Sequence, residues 1–153
     1  YALNITNITA HVAVVEKVKQ SVTTFHPYVI QDGDRPDTVA NKIYGSPDYT
    51  WIILIMNNIM SLYDWPLTER ELGNFIREKY GSMHAAQDIS IYTTVDQNYV
   101  DRTTYYLLPT AEQGSIRTAY EDELIKNEAK RSIKVIPVQF VAPLVAELKR
   151  AFA

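Results

Sequence analysis

Apolar and polar positions follow several distinct periods along this chain, and each period predicts a different element. In residues 1–24, Ile8, Val12, Val15, Val18 and Val22 recur at spacings of three and four, which predicts one face of a helix in an N-terminal arm. The valines pull the other way, because branching at Cβ favours strands. Tyr28-Val29-Ile30-Gln31 reads as a short strand. Asp32-Gly33-Asp34 follows as a turn, with Gly33 free to take positive φ. Asp34 is then placed to cap a helix with Pro36 in its first turn, where a missing N–H costs nothing. Val39, Ala40 and Ile43 line the inner face of that helix, and Gly45 ends it. Ser46-Pro47-Asp48 starts another, with Ser46 as N-cap and Asp48 near the positive end of the helix dipole. Trp51 to Met56 is apolar all round, which predicts burial, and Asn57-Asn58 is the stop.

Thr68-Glu69-Arg70-Glu71 has the form of a capping box. Leu72, Phe75, Ile76 and Tyr80 follow at helical spacing, and Gly81 closes the helix. Beyond residue 83 the pattern loosens. Ile89-Ser90-Ile91-Tyr92 alternates like a strand, with Thr103 to Leu108 as its expected partner and a polar loop from Val95 to Arg102. Thr118 to Arg131 is charged and reads as a helix. Ile133-Lys134-Val135-Ile136 reads as a strand stopped by Pro137. Phe140 to Phe152 is amphipathic, with Val141, Leu144, Val145 and Leu148 on one face and Pro143 confined to the first turn. The expected fold is α+β in four stretches: an N-terminal arm (1–24), a strand–helix–helix core with an added helix (25–82), an extended or hairpin arm (83–117) and a C-terminal helix–strand–helix (118–153). The two arms are expected to order against neighbouring proteins.

Composition narrows the function more than the fold. The 153 residues are 46% apolar and 22% charged, the balance of a folded domain. A net charge of −3 and a pI near 5.6 argue against nucleic acid as a main partner, because phosphate binding demands a basic surplus. With no cysteine there is no disulfide, thiol nucleophile or cysteine-type zinc site. The longest apolar run, Trp51 to Met56, is far short of the ~18 residues of a membrane span. No signal peptide is visible, although a chain that starts at Tyr1 allows for a trimmed leader. The sequons at Asn4 and Asn7 read as coincidence. Eleven tyrosines suit either a protein interface or a core rim, since each joins apolar area to a polar tip.

Catalytic signatures are missing from the sequence. It has no G-x-S-x-G elbow, no H-E-x-x-H, no P-loop and no G-x-G-x-x-G. His11, His26 and His84 lack ligand-like spacing. Asp32 and Asp34 flank Gly33 as in a calcium loop, but the remaining ligand positions are absent and turn roles explain them. Glu121, Asp122, Glu123 and Glu128 read as a solvated helix face or as partners for Lys130 and Arg131. Trp51 reads as core. Trp65, extended before Pro66, either plugs the edge of the core or docks on a partner. No enzyme activity, cofactor or metal is expected.

The ordered pieces of the second stretch resemble a LysM module: Tyr28-Val29-Ile30, Gly33-Asp34, Val39-Ala40 through Ile43-Tyr44-Gly45, Trp51 to Met56, and Asn57-Asn58. A LysM module then closes with a short second strand, where this chain runs into Tyr63-Asp64-Trp65-Pro66-Leu67-Thr68. That string, with Pro27 to Pro36, Ile43 to Pro47, Trp51 and Lys79-Tyr80-Gly81, is similar to the LysM-like wedge subunits of contractile-tailed phage baseplates. A second block, Tyr120-Glu121, Asn127 to Arg131 and Ile133 to Ile136, agrees in order and spacing. The resemblance implies a scaffold in the virion, made in the host bacterial cytoplasm and joined to other wedge and tail proteins in a hetero-oligomer. It implies partner contacts at Asp34, Arg35, Pro36, Tyr63, Trp65, Asn127, Glu128, Lys130 and Arg131. The alternative is a peptidoglycan-binding LysM protein, with sugar contacts at Gly33, Asp34, Arg35, Asn57, Asn58 and Ile59.

Overall fold

The computed structural model describes residues 25–151, apart from the side chains of Leu62 and of residues 147–151. The helix expected along Ile8 to Val22 lies outside the described residues, as does the inward position of Leu148. The fold is α+β. β1 (His26–Val29) opens the described chain, starting two residues before the strand that the pattern predicts. It leads into a turn in which the Asp34 N–H donates to the Gln31 carbonyl at 3.1 Å. Gly33 holds φ +80° there, the value that the third position of a type II turn requires. α1 (Pro36–Tyr44) is capped by Arg35, which is extended and makes no side-chain cap. The expected cap, Asp34, sits one residue too early. Its carboxylate closes the turn instead, accepting from the Gln31 N–H at 3.3 Å. Gly45, in the left-handed region, donates its N–H to Asn41 and ends the helix.

Ser46 accepts from the Asp48 N–H and starts a 3-10 turn (Pro47–Tyr49) that runs into α2 (Thr50–Met56). A second 3-10 turn (Leu62–Asp64) is held by reciprocal caps between Ser61 and Asp64. α3 (Glu69–Tyr80) begins at the Thr68–Glu71 capping box. α4 (Met83–Asp88), β2 (Ser90–Thr94) and β3 (Tyr99–Val100) follow. Residues 102–107 form a helix, α5 (Arg102–Leu107), where a strand was expected. The Asp101 carboxylate accepts from the Thr104 N–H at 3.0 Å, and this cap nucleates a helix despite the strand-like tyrosines. The partners of β2 are β3 and β4 (Gln113–Thr118). α6 (Ala119–Ala129) starts at another capping box, Thr118 with Glu121. β5 (Ser132–Val135), a 3-10 turn (Val138–Phe140) and α7 (Val141–Ala151) complete the chain, with Pro143 in the first turn of α7 as expected.

The chain divides into two compact units. The first runs to Trp65 and resumes at Arg131, and the second is the continuous stretch Pro66–Lys130. In the first unit β1 and β5 pair antiparallel, with His26 opposite Val135 and Val29 opposite Ser132. Its core gathers Ile30, Val39, Ile52, Ile53, Ile133, Ile136 and Leu144, each worth about 1.5–3 kcal/mol on burial. Only Ile52 and Ile53 of α2 are buried, so the all-apolar helix is covered on one side rather than all round. In the second unit the sheet order is β3-β2-β4. The β2–β4 register shifts between Tyr92 and Thr94. A Cβ at Gly114 would overlap the Thr94 carbonyl there, so this close approach requires glycine. The buried apolar side chains of this unit are few: Leu72, Ile76 and Ala86 form one small cluster, and Tyr105 and Ala119 are buried apart from it.

Candidate interaction surfaces

In the first unit the turn after β1 turns its polar groups inward. The Asp34 carboxylate accepts from Lys42 Nζ at 2.7 Å and from the Tyr28 hydroxyl at 3.4 Å. The Lys42 hydrogen bond holds the Asp34 carboxyl below the usual carboxylate range. The Asp34 carbonyl accepts from the Trp65 indole N–H at 2.8 Å. Trp65 is 8% exposed and packs in the core of the first unit. Asn57, at the end of α2, grips β5 like a short strand. Its Nδ2 donates to the Lys134 carbonyl at 2.8 Å, and its Oδ1 accepts the Lys134 N–H at 2.8 Å. Arg131 donates to Asp32 at 3.0 Å and to the Ile30 carbonyl at 3.3 Å.

The sequence-derived candidates therefore separate by environment. Asp34, Asn57, Trp65 and Arg131 hold the first unit together. Arg35, with its side chain 80% exposed beside Asp37, and Tyr63, 69% exposed, face outward. Pro36 is half-buried at the start of α1, and Gly33 and Asn58 are exposed. Ile59 packs against the core. In the second unit Asn127 is buried and repeats the Asn57 device. It accepts the Leu67 N–H at 2.8 Å and donates to the Leu67 carbonyl at 2.9 Å. Glu128 is exposed and Lys130 half-buried.

Sequence reasoning missed the interior of the second unit. Asp122 and Glu123 are 2% and 5% exposed, so these two of the four acids do not lie on a solvated face, whereas Glu121 and Glu128 are exposed. Asp122 takes an ion pair from Arg117 and another from Lys126, both at 2.7 Å, and accepts from the Tyr99 hydroxyl at 3.2 Å. Glu123 takes Lys79 at 2.8 Å and the Tyr80 hydroxyl at 2.9 Å. Burial raises the Asp122 pKa, but the hydrogen bonds from Lys126 and Arg117 outweigh it, and the carboxyl titrates below its ordinary value. Glu123 follows the same balance, with Lys79 and Tyr80 opposing burial. Burial also works against the Lys126 ammonium, yet the Asp122 hydrogen bond prevails and raises its pKa.

This network inverts α6. The helix buries Ala119, Asp122, Glu123 and Asn127 and turns Leu124 and Ile125, 36% and 51% exposed, to the surface. The spacing of Asp122, Glu123 and Asn127 on one face was the available signal. Other outward apolar side chains include Met60 at 93% in the first unit and Leu107 at 79% in the second. Among the described residues no three histidine, aspartate or glutamate side chains are placed to hold a metal ion. No described helix is long and apolar enough to cross a membrane.

Residues 2–108 match the model of a family described as base plate wedge protein 53. The chain is also similar to the baseplate wedge protein gp53 of Enterobacteria phage T4. The two are 26% identical over 140 residues, which cover 80% of this chain and 71% of the phage T4 protein.

Proposed function

Because the chain belongs to the base plate wedge protein 53 family, we propose that it is a non-enzymatic scaffold subunit of a phage tail baseplate wedge. It joins wedge proteins, and neighbouring wedges, through protein–protein contacts in the virion. The geometric observation that carries this reading is the inverted helix α6, whose charged residues are buried and whose Leu124 and Ile125 face out. A protein on its own gains nothing from turning Leu124 and Ile125 to solvent. A protein whose surface is covered by a partner gains apolar area at the contact. Arg35, Tyr63 and Glu128 are the outward-facing members of the partner-contact set implied by the sequence, and arginine and tyrosine are the residue types that dominate interface energetics. Purified together with the other wedge subunits of its phage, the protein should elute in a defined complex. Failure to bind any of them would sink the reading.

β1, α1, α2 and β5 run in the strand–helix–helix–strand order of a LysM module, which supports a LysM-like reading of the first unit. The closing strand then comes from Ser132–Val135, after residues 66–130. Sugar binding by such a module is the second reading. It loses ground because both amide atoms of Asn57 already grip Lys134. Retention on insoluble peptidoglycan, lost on substituting Arg35, would restore it.

A further inference from the structure

We propose that a groove between α3, α4 and α6 of the second unit receives a segment of a neighbouring wedge subunit that carries a large apolar side chain flanked by carboxylates. This rests on the scaffold reading and names the chemistry of one of its contacts. The groove measures about 420 Å³ and has Leu72, Ile76, Met83, Tyr120 and Leu124 in its lining, room for an apolar side chain and the backbone beside it. Leu124 is one of the two large apolar residues that the inverted helix turns outward.

Arg70 and Arg77 stand over this groove two turns apart on α3. Neither has a carboxylate within ion-pairing distance among the described residues. The residues three and four positions from them are Pro66, Leu67, Gly73, Asn74, Tyr80 and Gly81, none of them acidic. Arg77 donates only to the neutral Asn74 side chain, at 2.6 Å. Elsewhere in this unit Lys79, Arg117 and Lys126 are matched by acids, while Arg102, away from the groove lining, has no ion pair among the described residues. Glu69 shares the rim, but it lies in the first turn of α3, where the helix N-terminus answers its charge. The remaining field is positive, and a guanidinium pairs a carboxylate with two parallel hydrogen bonds.

Gly73 supplies the independent observation. It sits in the interior of α3, between the two arginines, in the lining of the groove. Glycine is a poor helix former, and the fold does not demand it here. A Cβ at Gly73 would meet only the tips of the Arg77 side chain, at 3.7 and 3.8 Å, which is ordinary contact. What glycine provides is a notch where an incoming chain lies against the helix backbone.

The test titrates each purified wedge subunit of the same phage against the wild type, Gly73→Ala, and the double variant Arg70→Glu/Arg77→Glu. Gly73→Ala should melt ~3 °C higher and bind its partner less tightly, a pairing of effects that a purely structural role cannot give. The charge reversal should weaken the same complex roughly tenfold or more while its circular dichroism stays native. Equal affinity of all three proteins for a subunit that binds the wild type overturns the groove and leaves the scaffold reading intact. No binding by the wild type sinks the scaffold reading itself. Self-association of the wild type that the charge reversal abolishes would assign the groove to a second copy of this chain, which also overturns the proposal.

Discussion

The two units of this protein solve the same problem with different chemistry. The first is held by aliphatic and aromatic burial around Ile30, Ile53, Tyr44 and Trp65, with a few polar side chains closing its edges. Tyr44 shows the pattern: its ring is buried and its hydroxyl accepts the Ile136 N–H at 3.3 Å. The second has a small apolar cluster and sets buried carboxylates against cations from three other positions. The first unit depends on area removed from water, which salt and pH barely change. The second depends on matched charges, which either can unbalance. The same exchange that puts charge inside the second unit releases apolar side chains to its surface. The unit with the weaker apolar core is therefore the one with more to offer a partner.

The largest test of this contrast is Trp65→Ala. It removes a buried indole and leaves the Asp34 carbonyl without its donor, and should cost about 3–5 kcal/mol. The loss should be the same at low and high salt. Hydrogen exchange should quicken in β1, β5 and α1 before it does in β2 or β4. Simultaneous loss of protection in both units would show that they unfold as one and break the comparison.

Asp122→Ala comes next. It strands the Arg117 guanidinium, whose side chain is only 13% exposed, together with Lys126. The cost should be about 3 kcal/mol, at the low end for a broken buried pair because Lys126 is 43% exposed and water recovers part of its charge. Molar salt should shrink the difference from wild type. A loss as insensitive to salt as that of Trp65→Ala would show that packing, not charge, makes the second unit.

The contrast also explains what could be read in advance. The first unit was legible because its elements carry their signals locally: the Gly33 turn, Pro36, Gly45, the Ser46 cap and the apolar run of α2 lie within about two dozen residues. The pairing of β1 with β5 was not, since its partners stand over a hundred positions apart. Thr103 to Leu108 misled because tyrosine and threonine favour strands, while the decisive cap, Asp101, lies just ahead of them. Asp122 and Glu123 misled for a deeper reason. Charge counts as surface unless its counter-charge is known, and Lys79 and Arg117 approach α6 from other elements. The resemblance names Asp34, Asn57 and Asn127 as contacts to a partner or a sugar; within the chain Asp34 accepts from Lys42, and Asn57 and Asn127 bond the backbone of Lys134 and Leu67.

Acid should separate the units with a smaller effect. Asp122 and Glu123 are held below their ordinary values of 3.8 and 4.5. Their stabilisation is complete above those values and disappears as pH falls through the lowered ones. Lys126 is raised above 10.5, so its share persists until strongly alkaline pH. Stability should be level from about pH 5 to 10 and fall below about pH 4. Asp34 is also lowered, but its partner Lys42 is half exposed and contributes less. Amides of β2, β4 and α6 should therefore lose protection at a higher pH than those of β1 and β5. The reverse order would place the critical carboxylate in the first unit.

The smallest effect on stability is expected at Arg35. Its ion pair with Asp37 spans 3.4 Å between side chains that are 80% and 53% exposed. Solvent screens such a pair almost completely, and Arg35→Ala should change stability by no more than about 0.5 kcal/mol. Its side chain makes no cap on α1, so the helix loses nothing when it is shortened. If Arg35 is a partner contact, the variant melts as the wild type does and yet enters the wedge complex less readily. That divides the first unit into an interior that sets stability and a surface that sets assembly. Normal assembly of Arg35→Ala would leave Tyr63 as the outward candidate of that unit and move the weight of recognition to the apolar surface of the second.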